Sequence, residues 1–198
     1  MVLRAFLVVA LALLVAACGE RTGGPTSPFK STDISRVDWG RDFHLTDHNG
    51  RPRSLADFRG KVVMLFFGFT HCPDVCPTTM ADMARVVDKL GPDGQRVQGL
   101  FVTVDPERDT PRVLAKYLAA FHPSFLGLYG DPGATAALAK EFKIFYAAQP
   151  ADSHEHYMVT HSNAIFVFDP RGRLRLLLMG GNKTVDTKAA DVARLLRE

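Results

Sequence analysis

Val62-Val63-Met64-Leu65-Phe66-Phe67 runs straight into Gly68-Phe69-Thr70-His71-Cys72-Pro73-Asp74-Val75-Cys76-Pro77. Six apolar residues without a polar break read as a strand buried on both faces. Residues 78–90 then repeat apolar side chains at helical spacing, with Met80, Met83, Ala84, Val87 and Leu90 on one face, and Gly91-Pro92 ends the run. A buried strand therefore delivers two thiols to its end, where a helix begins. Pro77 disfavours the helical conformation at Cys76 and is itself favourable at a first helical position. Cys76 is thus expected just before the helix, where the positive end of the dipole stabilises a thiolate.

Outward from this stretch, strands and helices alternate. Phe43-His44-Leu45 and the residues after Pro52 flank the turn signal Asp47-His48-Asn49-Gly50, which predicts a β-hairpin. Residues 97–104 read as a strand. Thr110 and Pro111 cap a helix that runs to about residue 121. Residues 125–129 form a short strand, and Asp131-Pro132 opens a helix to about residue 142. Strands over 164–168 and 174–178 are joined by the turn Asp169-Pro170-Arg171-Gly172. A final amphipathic helix covers 184–197. This order predicts an α/β fold, a thioredoxin-like mixed sheet with flanking helices and an N-terminal β-hairpin extension. The last two strands are expected antiparallel to the rest.

The N-terminus carries a different signal. Met1-Val2-Leu3-Arg4 is a short positive segment, residues 5–17 are apolar but too short to span a bilayer, and Ala16-Ala17 precede Cys18. This is a secretory signal, and Val15-Ala16-Ala17-Cys18 resembles the lipobox of bacterial lipoproteins, whose cysteine becomes the lipidated first residue. Three segments are expected: a lipoprotein signal over 1–17, a flexible Gly/Pro/Ser/Thr-rich tether over 18–36, and a folded domain over 37–198. The expected location is the periplasmic, outer face of the cytoplasmic membrane of a bacterium, reached through lipid on Cys18. A net charge of +3 gives no reason to expect a nucleic-acid partner.

With Cys18 consumed by lipid, Cys72 and Cys76 are the remaining thiols. In an oxidising compartment they tend toward a disulfide. Two thiolates are also soft ligands for Cu(I), zinc or iron–sulfur, and the C-x₃-C spacing suits a shared metal while permitting a disulfide. Two cysteines do not fill a structural zinc site, and no others remain for an iron–sulfur cluster. A histidine would complete a three-coordinate site. The best placed is His161, in Val159-Thr160-His161-Ser162-Asn163, because the loop before the 164–168 strand of a thioredoxin-like sheet lies against the cysteine loop. Met64 and Met83 fall in strand and helix patterns and read as core. Asp74 and Asp105 are expected near the site, and read as solvent-facing or turn-capping rather than as part of it. His154, His156 and Met158 alternate in a polar loop, either solvated or an auxiliary copper-capture site.

Three stretches then carry a resemblance. The segment Gly68 through Pro77, the segment Val104-Asp105-Pro106-Glu107-Arg108-Asp109-Thr110-Pro111, and the tail with Asp169-Pro170-Arg171-Gly172 and Gly181-Asn182-Lys183 are similar to the Sco/SenC copper proteins. His161 lies 85 residues past Cys76 (161 − 76), where that family carries a histidine. The resemblance implies one copper, Cu(I) or Cu(II), per domain on Cys72, Cys76 and His161. It implies a chaperone for the dinuclear copper centre of cytochrome c oxidase subunit II, served by a periplasmic copper donor and a thiol reductant. The Cys72–Cys76 disulfide is then the metal-free, oxidised form. The family usually has Asp where this chain has Thr160. Whether such a protein is an enzyme stays open: the same dithiol could act as a thiol-disulfide oxidoreductase that reduces the cysteines of that copper site. A peroxidase needs an Arg beside its cysteine, and the cysteine loop has none.

Overall fold

The computed structural model describes residues 27–148, 159–161, 163–179 and 184–198. Cys18, His154, His156, Met158 and Gly181-Asn182-Lys183 lie outside the described residues. Ten strands and four α-helices are present among those described. In chain order they are β1 (Thr32–Asp33), β2 (His44–Asp47), β3 (Pro52–Ser54), β4 (Val62–Gly68), α1 (Val75–Lys89), β5 (Val97–Thr103), α2 (Pro111–Ala119), β6 (Leu126–Tyr129), α3 (Pro132–Glu141), β7 (Tyr146–Ala148), β8 (Val159–His161), β9 (Ala164–Phe168), β10 (Leu174–Met179) and α4 (Val185–Leu195). None of these helices is long and apolar enough to cross a membrane.

Eight strands form one sheet in the order β1-β10-β9-β4-β5-β6-β2-β3, and β7 pairs with β8 as a separate ribbon. Strands β4, β5 and β6 are parallel; β9 is antiparallel to β4, and β10 to β9. Of the two closing strands only β9 therefore opposes the centre, because the hairpin turn brings β10 back into the direction of β4. Every residue of β4, β5 and β9 is buried. Since successive side chains alternate between faces, complete burial means both faces of the sheet are covered. Phe66 and Phe67 show the division. Phe67 packs on Phe142 and Phe166, whereas Phe66 meets Phe101, which meets Tyr117 of α2.

Helix starts follow local chemistry. Thr110, Asp131 and Thr184 each accept a backbone N–H three residues on, so each serves as an N-cap. Pro111 and Pro132 occupy first positions. The expected start of α1 is corrected: the helix begins at Val75, with Asp74 as N-cap, and Cys76 lies inside its first turn. Pro77 is tolerated there because the first N–H groups of a helix have no intrahelical partner to lose. The stretch read as tether also joins the fold at its end. Phe29 is buried, and β1 pairs with β10 through Thr32 opposite Leu177.

Candidate metal centre

The site lies at the C-terminal end of β4. Its two cysteines are brought together: the Cys76 N–H donates to Cys72 Sγ at 3.3 Å. The Cys72 N–H in turn donates to the Phe69 carbonyl at 3.2 Å, closing the loop on itself. Neither sulfur is in a disulfide. Their settings differ, since Cys72 is half-buried and Cys76 has no exposure at all. Cys76 packs over the end of β4, where a Cβ on Gly68 would stand 3.1 Å from its sulfur.

This burial overturns the electrostatic expectation for Cys76. Loss of solvent pushes its thiol well above the usual range, and the Cys72 sulfur and the Asp109 carboxylate add to the rise. A backbone hydrogen bond with Phe69 opposes it and does not prevail. The helix start is present, but desolvation outweighs it. The proton on Cys76 is therefore one for a cation to displace rather than one lost to water.

Asp109 and Tyr117 complete the surroundings, and neither is assigned to the site by the sequence. Asp109 is buried at the turn before α2, beside Thr70 and Thr103. Burial raises its carboxyl above the ordinary carboxylate value against the pull of hydrogen bonds from Thr103 and Thr70. Tyr117 Oη is buried without a hydrogen-bond partner among the described residues, and desolvation followed by the fields of Cys76, Cys72 and Asp109 raises its phenol. A phenol in a helical apolar pattern carries no sequence mark of a site. The signal for Asp109 is its place in the second motif, where it also reads as a helix start.

Other expectations divide. Met64 and Met83 are fully buried core residues. Asp74 is the exposed cap of α1. Asp105 is not solvent-facing: it is buried, and Arg108 Nε donates to its carboxylate at 2.5 Å. His161 is described by its backbone in β8, opposite Tyr146 of β7. Strand β9 begins three residues later, and its register sets Ile165 beside Phe66, near the end of β4. The backbone of His161 thus lies toward the end of the sheet from which the cysteine loop departs. Among the described residues no three His, Cys, Asp or Glu side chains gather as a metal cage. Paired sulfurs, one half-exposed, are a donor set suited to a soft monovalent ion.

Comparison with known proteins adds to this geometry. The model of the family described as SCO1/SenC matches residues 31–197. The chain belongs to the SCO1/SenC family. It is 47% identical over 133 residues to the mitochondrial SCO2 homolog of Mus musculus, covering 66% of this chain and 52% of that protein. The chain spans about half the length of the curated relatives it matches first, 52% and 50%. Among solved structures, copper-bound ScoI of Bradyrhizobium japonicum is 36% identical with a TM-score of 0.72, covering 78% of this chain and 97% of that one. Apo Sco1 of Thermus thermophilus is 43% identical with a TM-score of 0.75, covering 87% and 99%. BsSco, described with a disulfide switch and as a member of the Sco family of cytochrome c oxidase assembly proteins, is 25% identical with a TM-score of 0.63, covering 80% and 94%. The SCO1/SenC fold of this chain is thus the thioredoxin-like one.

Proposed function

We propose that this SCO1/SenC protein is a copper chaperone that binds one copper through Cys72, Cys76 and His161 and serves assembly of the dinuclear copper site of cytochrome c oxidase. The observation that carries this is the preassembled sulfur pair, closed by the Cys76 N–H on Cys72 Sγ at 3.3 Å. The copper-bound Bradyrhizobium relative and the oxidase-assembly description of BsSco support the cargo and the destination. Copper is the substrate here: soft sulfur favours Cu(I), and binding displaces the thiol protons. Cys72, half-buried, is the sulfur through which copper enters and leaves, and Cys76 holds it from inside. Titrating the reduced protein with Cu(I) against a competing chelator should show one tight equivalent. His161→Ala, Cys72→Ala and Cys76→Ala should each weaken it sharply. Unchanged affinity in His161→Ala would remove the histidine from the ligand set.

The unequal exposure of the two thiols also favours a second reading, reduction of a partner's disulfide. Cys72 thiolate attacks one sulfur of that disulfide and expels the other as a thiolate. Cys76 then attacks Cys72, releasing the second thiol and leaving the Cys72–Cys76 disulfide, two electrons lighter. Copper-independent reduction of an oxidised copper-site peptide tests it.

The mature chain is proposed to begin at a lipidated Cys18 and to sit on the periplasmic face of the membrane. Mass spectrometry of the N-terminus decides between acylated and bare cysteine.

A further inference from the structure

The second motif, residues 104–111, has no role in the ligand set, yet its side chains converge on the cysteine loop. Asp109 is 1% exposed. Its Oδ1 accepts from Thr70 Oγ1 at 2.5 Å, while Oδ2 accepts from the Thr70 N–H at 3.0 Å and from Thr103 Oγ1 at 2.6 Å. One carboxylate thus ties together the end of β5, the start of α2 and the loop two residues before Cys72. Arg108, held by Asp105, stands 5.9 Å over the ring of Phe69. Phe69 is the residue whose carbonyl takes the Cys72 N–H and whose backbone hydrogen-bonds Cys76. Phe69, which hydrogen-bonds both cysteines from upstream, and its neighbour Thr70 are therefore both gripped by the second motif.

The choice of a carboxylate is costly. Among the described residues no Lys or Arg pairs with Asp109; the exposed His71 stands near it, with Nδ1 at 3.9 Å. A buried carboxylate without a cation loses solvation that hydrogen bonds alone must offset. Its three donors come from only two residues, and one of them, Thr70, belongs to the loop. What the arrangement delivers is a fixed loop.

We infer that Asp109 is a positioning residue of the dithiol site, setting the mutual placement of Cys72 and Cys76 through its bidentate hold on Thr70. The inference rests on the proposed dithiol site and deepens it. The second motif thereby becomes a clamp that keeps the sulfurs placed when copper is absent.

The test uses Asp109→Asn, Thr70→Val, Thr70→Ser and the double variant Thr70→Val/Asp109→Asn. Three quantities are read: Cu(I) affinity, the visible and EPR spectrum of the Cu(II) form, and the equilibrium of the Cys72–Cys76 dithiol with oxidised glutathione. Losing one hydrogen bond to a charged group should move affinity and dithiol equilibrium by about tenfold each. The double variant should fall no further than the worse single one, because both remove the same contact. Thr70→Ser, which keeps the hydroxyl, should restore wild-type values. A loss of thermal stability with spectrum and dithiol equilibrium unchanged overturns the inference and makes Asp109 purely structural. If Asp109→Asn does not fold, Thr70→Val alone carries the test. A wild-type protein that binds no copper defeats the proposed function but not this inference, which the glutathione equilibrium still decides.

Discussion

At Gly68 a side chain is excluded by the site itself. A Cβ there would lie 2.8 Å from Phe101, 2.9 Å from Phe66 and 3.1 Å from Cys76 Sγ. Two of these neighbours are core rings that cannot swing away, so the thiol of Cys76 is the group that moves. Gly68→Ala is expected to cost about 1–3 kcal/mol as overpacking and to lower Cu(I) affinity together with stability. Denaturant unfolding and chelator competition, measured on the same sample, check the coupling; a stable variant with weakened copper binding shows that the strain falls on Cys76. From the sequence, Gly68 reads as the first residue of the cysteine motif, with no sign of what a side chain there would meet. The same scale explains the error at Cys76. Pro77 marks a helix start correctly in kind, but burial is a tertiary property, and it sets the thiol in the direction opposite to the helix dipole.

At the scale of elements, one device is used twice. Asp47 and Asp169 each close a hairpin whose Gly, Gly50 or Gly172, takes a positive φ of 80° or 73°. Asp47 Oδ1 accepts the N–H groups of Asn49 and Arg51, and its Oδ2 takes Arg53 Nε at 2.9 Å. Asp169 Oδ1 accepts from Arg171 and Arg173, and its Oδ2 takes Arg173 Nε at 2.7 Å and Arg175 Nη1 at 3.1 Å. Burial alone would raise both carboxyls; the backbone and arginine hydrogen bonds outweigh it and hold them below the ordinary 3.8. A depressed carboxyl contributes stability fully above its unfolded value and loses it as pH falls through the folded one. Wild-type stability should therefore drop as pH falls below about 4. Asp169→Asn should be less stable at neutral pH by about 1–3 kcal/mol and show a shallower acid decline. Urea unfolding at pH 7 and pH 3 measures both. Both turns are legible in the sequence because Asp and Gly at these offsets are local chemistry. The β7–β8 ribbon is not, since three-residue strands that pair only with each other leave no periodic pattern.

Over the whole molecule, the sheet takes its outer strand β1 from the stretch where the sequence seemed emptiest. Phe29 packs beneath Arg175 and Arg194, with each Cζ 5.5 and 5.9 Å from its ring centroid. The N–H groups of Lys30 and Ser31 donate to the buried Asp191 of α4. Contacts spanning about 160 positions thus fasten the chain's entry to its closing helix. Phe29→Ala should cost about 3 kcal/mol. It should leave Cu(I) affinity of the folded protein unchanged, since among the described residues Phe29 meets Arg175, Arg194 and Ser27, none of them in the cysteine loop. Thermal unfolding and copper titration separate the two effects; a large loss of affinity would tie the strap to the site.

Apart from β1, β7 and β8, the sequence by itself determined the order of the helices and of the strands between them, the buried central strand, the capped helices, the hairpin turns and the two sulfurs at the strand's end. All of these are written in neighbours a few residues apart, through periodicity, caps and turn chemistry. Tertiary structure alone decided what the sulfurs experience. Cys76 is sealed against Gly68, Asp109 reaches Thr70 across 39 positions, and Tyr117 brings a buried phenol from α2. Desolvation and long-range hydrogen bonds arise only when the sheet brings β4, β5 and α2 together. A C-x₃-C pair in the sequence therefore becomes a half-exposed and a buried thiol held by a carboxylate from another motif.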